Sequence, residues 1–339
     1  MRIAVVTGPG AVELREASAP SCGPRQVLVE VRGCGLCTLD RRLFSGEQPI
    51  YPVAAGHEPA GRVIELGEAV RDLPGAPALG DLVTVDMRTR CGICHACRRG
   101  RSAICLAPQG RPGPAGVISI AGGLADVIAV DLDHAWSIGD VPLEHAVMGE
   151  PVACVAHSLR RGGFLPGDRV AVVGGGFMGR LHMTMARAVG AVTVGVIDVS
   201  ETRRAEAEAA GATWAATPED ARSVGGENDV VFVTAGAPGS LELALDLTAK
   251  GGSVALYGAF PDELSVGIHP NHMHHAETSI IGVHSHEPED WRVAAGLIAS
   301  GAISKDLDDL VTARYALSEV AEAFELAAST PVYRVIVGG

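Results

Sequence analysis

The chain has 339 residues, of which 47% are apolar and 20% charged, and its formal net charge is −13. That length fits about two domains of ordinary size, and the apolar content excludes a disordered chain. The charge argues against a nucleic-acid partner, because a phosphate backbone calls for a basic surface. No apolar run reaches the ~20 residues of a membrane helix. The N-terminal MRIAVVTGPG reads as a strand rather than a secretion signal. The expectation is a soluble cytoplasmic protein with neither nucleic acid nor membrane as partner.

In chain order, short Val- and Ile-rich strands are predicted over 2–6, 26–31, 61–65 and 81–85, separated by Gly- and Pro-rich turns. This texture suggests a barrel-like β domain. The pattern changes near residue 150. A helix over 151–161 is followed by a strand over 170–173, a Gly-rich turn and a helix over 178–189. A strand over 192–197, a helix over 201–210, a strand over 230–234, a helix over 241–247 and a strand over 253–257 continue the alternation. Alternating β and α elements imply a parallel sheet with right-handed crossovers. Helices over 291–300 and 317–328 and a strand over 332–337 end the chain, and periodicity does not say where this tail packs.

The run VAVVGGGFMG contains G-x-G-x-x-G as Gly174, Gly176 and Gly179, after an apolar strand and at the start of a helix. Gly174 permits a tight turn, Gly176 lets the backbone approach a pyrophosphate, and Gly179 lets the helix pack against the strand. The helix N-terminus offers free N–H groups to the phosphates. Asp198, 19 positions after Gly179, ends the next strand, where a carboxylate accepts from ribose hydroxyls and repels a 2′-phosphate. NAD is therefore favoured over NADP, although Arg203 could stand near the same ribose. The competing reading is a Gly-rich turn in a non-binding α/β domain.

Cys91, Cys94, Cys97 and Cys105 are four thiols within fifteen residues. Without a secretion signal, such clustering points to metal before disulfides. Four thiolates can close a tetrahedral zinc shell with no open position, which makes the site structural. His95 reads as a bystander. A nucleic-acid-binding ribbon, suggested by Arg98, Arg99 and Arg101, is opposed by the net charge. Cys37 in GLCTLD, His57 and Glu58 in GHEPAG, and Glu150 in GEPVACVAH are scattered, and spacing alone does not join them. A buried thiol, a loop histidine and an acid at a helix N-terminus are their plain readings.

Taken in order over essentially the whole chain, GLC-x-x-D, GHE-x-x-G, GD-x-V, the cysteine lobe, E-P-x-A, VVGGGFMG and the acidic strand end resemble the zinc-dependent medium-chain dehydrogenase/reductase family of alcohol, sorbitol and threonine dehydrogenases. The resemblance implies an α/β protein with a GroES-like β-barrel catalytic domain over 1–150, carrying the lobe at 91–105. It further implies a Rossmann NAD-binding domain over 151–285 and a segment over 286–339 that returns to the first domain. It implies two zinc ions per chain: a catalytic one held by Cys37, His57 and Glu150, with Glu58 a ligand or near neighbour and Cys154 an alternative, and a structural one on the four lobe cysteines. Asp198 and Arg203 fall at the adenosine ribose, Phe177 and Met178 at the pyrophosphate turn, and Thr234, Ala235 and Gly258 at strand ends lining the cofactor. A homodimer or homotetramer joined through the Rossmann domains is implied as well.

One departure concerns the proton relay. Where the family has Ser or Thr two residues after the first zinc cysteine, this chain has Leu39, with Thr38 one position early. The implied reaction is oxidation of a small-molecule secondary alcohol to a ketone. Asp40, Glu58 and Glu150 would place carboxylates around the pocket, suiting hydroxyls and an ammonium group. The resemblance extends to aminosugar and aminocyclitol dehydrogenases of aminoglycoside-type antibiotic biosynthesis. A catabolic polyol or threonine-like dehydrogenase is the alternative, and a non-catalytic NAD-binding regulator the alternative of another class. Six histidines, His269, His272, His274, His275, His284 and His286, read as loop and surface residues, with His284 or His286 near the substrate.

Overall fold

The strand Gln26–Leu36 is the spine of the first of two units, Met1–Ala153 with Glu287–Gly339. It pairs antiparallel with Glu58–Leu66 on one side and with both Val127–Asp131 and Arg334–Val337 on the other. This is a computed structural model that describes residues 1–107, 111–112, 117–119, 121–329 and 332–338. A second sheet of the same unit runs in the order Ala11–Glu16, Arg2–Gly8, Val53–Ala54, Ile118–Ser119 and Arg111–Pro112. The two sheets share a core of Ile3, Val5, Val27, Val29, Val63, Val83 and Val85. The alternation of Val and Ile along these strands puts such side chains on one face. Each fully buried one contributes roughly 1.5–3 kcal/mol.

The helix Thr38–Ser45 has no counterpart among the predicted elements. Its N-cap is Cys37, a residue outside the usual Ser, Thr, Asp and Asn set. The cap is reciprocal: the Cys37 Sγ accepts from Leu39 N at 3.1 Å, and Asp40 Oδ2 accepts from Cys37 N at 2.9 Å. Phe44 of this helix packs against Phe324 of the helix Val320–Ser329, with ring centroids 5.3 Å apart, in a second core that includes Leu36, Val335 and Val337. The helix expected over 317–328 is a 3-10 turn, Leu317–Glu319, followed by Val320–Ser329. The last strand, Arg334–Val337, lies in the first unit's sheet, with Val335 opposite Leu36 and Val337 opposite Cys34.

The second unit, Cys154–His286, holds a six-stranded parallel sheet. Its order is Trp214–Ala216, Thr193–Ile197, Arg169–Val173, Asn228–Val233, Thr248–Leu256 and Ser279–Gly282. The direction of winding reverses between Arg169–Val173 and Asn228–Val233, which opens a ligand crevice at the carboxyl ends of those strands. The helix Gly149–Arg161 carries the chain from one unit into the other. Among the described residues no helix is long and apolar enough to cross a membrane.

Candidate active site

Cys37, His57 and Glu58 converge in the first unit, with one donor atom from each within 4.8 Å of the others. The Cys37 Sγ lies 3.8 Å from His57 Nδ1. Asp40 clamps the two turns that carry them. While Oδ2 receives Cys37 N, Oδ1 receives Gly56 N at 3.0 Å. Gly56 has φ +87, a conformation that favours glycine, and delivers His57 and Glu58 to the cluster. The Glu58 carboxylate occupies the room left by Gly35, where an added Cβ would stand 2.1 Å from Oε2. Oε1 is 3.0 Å from Arg334 Nη2, and Arg334 also donates to Leu36 O at 2.8 Å. Glu58 Oε2 is buried without a hydrogen-bond partner among the described residues.

The electrostatics describe a largely buried site crowded with acidic groups. Burial, then Asp40 and Glu58, hold the Cys37 thiol well above its usual range. Burial also pushes Glu58 up to about 7, against the pull of Arg334. Burial by itself lowers His57, but Glu150, Asp40 and Glu58 together raise it. Thiolate, imidazole and carboxylate with an orphaned buried oxygen form a donor set that suits a zinc ion.

Of the six expected catalytic residues, Cys37, His57 and Glu58 meet. Glu150, in the first turn of Gly149–Arg161, stands outside the 4.8 Å set while exerting its charge on His57 and Glu58. Cys154 lies one turn further along that helix. Asp40 requires a correction: both its oxygens are occupied by backbone N–H groups, so it braces the site rather than lining a pocket. Thr38 is exposed at the first helical position, and the half-buried Leu39 packs on the apolar core. Arg334 was not foreseen; a lone arginine in a terminal strand carries no local signal.

The four lobe cysteines also converge, each offering a sulfur within 4.8 Å of the others. Sγ separations of 3.5 Å for Cys91–Cys105 and 4.0 Å for Cys91–Cys97 exclude disulfides there. They bracket the ~3.8 Å edge of a tetrahedron with 2.3 Å Zn–S bonds. Backbone N–H groups point at the sulfurs: Cys91 N to Cys105 Sγ and Cys94 N to Cys91 Sγ, both at 3.3 Å. Hydrogen bonds from the Leu106 and Cys97 backbone bring Cys94 down to about 6, and those from Cys91 and Ala107 lower Cys105. Cys97 is pushed the other way, up to about 12, by burial and by the neighbouring Cys94 and Cys105 thiols. His95 is exposed and outside the set. His269, His272, His274 and His275 are exposed at the helix Pro270–Ala276 and join no group of converging donors among the described residues.

In the second unit the Gly-rich turn has the geometry its sequence implies. Gly174 has φ +105, and a Cβ on Gly179 would stand 1.7 Å from Gly174 O. Gly176 caps the helix Phe177–Ala188, opening its N–H groups toward the crevice. Asp198, 7% exposed, accepts from Gly175 N at 2.7 Å and Ser200 N at 2.8 Å, and Arg203 Nη1 stands 3.7 Å from it. Gly174, Asp198, Arg203, Arg222 and Ala235 help line a cavity of about 460 Å³. Thr234 Oγ1 lies 3.0 Å from both the Val173 and Gly174 carbonyls, and Gly258 N donates to Val233 O, so these strand ends frame the turn. Met178 contributes its carbonyl to His182 Nδ1 at 2.7 Å, and Phe177 opens the helix. His182, unforeseen from the sequence, is fully buried between Phe232 and Tyr257, and its Nε2 meets Ser158 Oγ at 2.9 Å.

Residues 23–140 match the alcohol dehydrogenase GroES-like domain, and residues 178–300 match the zinc-binding dehydrogenase family. The chain belongs to the zinc-binding medium-chain dehydrogenases, enzymes acting on CH–OH groups. It is 30% identical over 330 residues to an L-threonine 3-dehydrogenase of Thermococcus kodakarensis, covering 93% of this chain and 91% of that one. It is 28% identical to the L-galactonate-5-dehydrogenase of Escherichia coli K12, covering 96% and 94%. A zinc-binding dehydrogenase of Sinorhizobium meliloti 1021, solved with NADP bound, is 32% identical with a TM-score of 0.86, covering 100% of this chain and 99% of the other.

Proposed function

We propose that this chain catalyses the reversible, NAD-dependent oxidation of a secondary alcohol in a polyol-like or threonine-like substrate to the ketone. The observation that carries the reading is the convergence of Cys37, His57 and Glu58 within 4.8 Å. Cys37 and His57 would hold a catalytic zinc with Glu58, and Glu150 stands near enough to bias it. When bound, the metal would supply Lewis acidity at the substrate oxygen and the nicotinamide would supply the hydride acceptor. Asp40 keeps the Cys37 and His57 turns in register, and Arg334 orients Glu58. The Gly174–Gly179 turn would seat the pyrophosphate on the helix N-terminus.

The polyol and threonine reading is preferred because the relatives reported above act on L-threonine and L-galactonate. The aminosugar or aminocyclitol reading leaned on three pocket carboxylates. Of these, Asp40 accepts from backbone through both oxygens, and Glu58 pairs with Arg334 through Oε1 and is given to the metal in this reading, so both are committed away from an ammonium group. Asp198 supports NAD, while Arg203 beside it and the NADP of the Sinorhizobium relative favour some use of NADP. The four lobe cysteines would hold a second, structural zinc. A homodimer or homotetramer is supported by the strand Ser279–Gly282, which ends its sheet with one edge unpaired among the described residues.

NADH formation, followed by absorbance against L-threonine, sugar polyols, aldonates, aminosugars and aminocyclitols, tests the reading. Turnover on the first three classes is expected. Turnover confined to amino-bearing rings would reverse the substrate preference, and none on any class with zinc and NAD bound would remove the catalytic reading.

A further inference from the structure

Glu287 is 5% exposed and sits where the chain returns to the first unit. Its carboxylate lies against the cysteine lobe. Oε2 accepts from Ser102 N at 2.9 Å and from the Ser102 hydroxyl, and Oε1 accepts from Ala103 N at 2.8 Å. The backbone of Glu287 is itself held: it caps the helix Pro288–Ala299, and Asp290 Oδ2 accepts from Glu287 N at 2.7 Å. Ser102 and Ala103 begin the turn Ser102–Ile104, and Cys105 N donates to Ser102 O at 3.0 Å. The fourth sulfur of the lobe is thus one turn away from a buried, fully engaged carboxylate. On the other side of that turn, the Arg88 side chain donates to Ala103 O.

Hydrogen bonds to an ionised acceptor are roughly twice as strong as neutral ones. A lobe this rich in Gly and Arg has few apolar contacts of its own; Ile93, Ile104 and Leu106 are exposed. We propose that Glu287 is the positioning residue that holds Cys105 in place for the lobe metal, so that metal retention and order at the start of Pro288–Ala299 are coupled. The proposal rests on the zinc reading of the four cysteines. Coupling of this kind is reciprocal: what Glu287 adds to metal binding, the bound metal adds to the helix start.

Glu287→Gln is the test, because one amide nitrogen then faces a backbone N–H and cannot accept from it. The full-length zinc-loaded protein is challenged with a chromogenic chelator. Lobe zinc should leave the variant on the order of tenfold faster, as expected for losing a charge-assisted bond, while release of the other zinc is unchanged. Amide hydrogen exchange should rise at Ser102 and Ala103 and stay constant in the strand Gln26–Leu36. In Cys97→Ser, which weakens the lobe metal, exchange should rise at the start of Pro288–Ala299. Unchanged lobe release, or equal acceleration of both zincs with exchange rising throughout, overturns the proposal. A wild-type lobe without zinc overturns the metal reading instead, and exchange at Ser102 and Ala103 then decides whether Glu287 anchors the lobe.

Discussion

Arg334 Nη2 stands 3.0 Å from Glu58 Oε1, with both side chains buried, and this pair ties the final strand of the chain to the His57–Glu58 turn. A buried carboxylate costs several kcal/mol unless it is paired and hydrogen-bonded. Arg334 offsets that cost on one oxygen and leaves the other, Oε2, buried without a hydrogen-bond partner among the described residues. Removing the guanidinium should therefore be felt at the metal donors. Arg334→Met is expected to lower kcat/KM or zinc affinity by about 10–100-fold, the usual range for partners of metal ligands, with Arg334→Lys intermediate. Steady-state kinetics with zinc analysis on the same preparations checks it; wild-type values for Arg334→Met would show that Glu58 needs no partner.

Cys37→Ala and His57→Ala each delete one donor of the convergent set. Turnover should fall to background in both while NADH still binds, since the Gly174–Gly179 turn lies in the other unit. Turnover assays paired with NADH fluorescence titration test this, and retained turnover in either variant would refute the catalytic-zinc assignment.

Cofactor choice is expected to depend on Asp198. Asp198 helps line the cavity, and Arg203 Nη1 stands 3.7 Å from its carboxylate. In the wild type, kcat/KM should favour NAD over NADP by at least about tenfold, a discrimination of ~1.4 kcal/mol. Asp198→Ala should shrink that ratio, and Arg203→Ala should enlarge it. Equal efficiency with both cofactors in the wild type would remove Asp198 as the selector.

His182 should make the second unit acid-sensitive. Burial depresses its pKa to about 4 from an ordinary value near 6.5. The unfolded chain therefore takes up this proton first as pH falls. The contribution of neutral His182 is fully present above pH ~6.5 and is lost progressively toward pH ~4, up to about 3 kcal/mol. Urea unfolding across that window should show a shallower loss of stability for His182→Gln than for the wild type. Parallel pH curves for the two proteins would mean that His182 titrates normally in the fold.

Stability should also depend on the lobe metal. Chelator treatment or Cys94→Ser is expected to lower the unfolding midpoint of the first unit, since structural zinc contributes folding energy. Calorimetry before and after zinc removal measures it, and an unchanged midpoint would show a lobe that orders without metal.

What could be read from the residues alone was what is local. The four cysteines close on one another within fifteen residues, and Gly174, Gly176 and Gly179 act within one turn, so spacing carries their geometry. Asp198 was legible for the same reason, one strand and one helix further on. The βα alternation over the second unit follows from hydrophobic period, which is also local. Only the tertiary structure decided what depends on strand pairing. It brought Arg334 to Glu58 by pairing the last strand with Cys34–Leu36, brought His57 to Cys37 through the Asp40 clamp, and set Glu287 against Ser102 and Ala103. It also turned Asp40 from an expected pocket acid into a brace. Pairing partners of distant strands leave no periodic trace in either segment, because each strand's pattern reports only which face is buried and not what lies beside its edge.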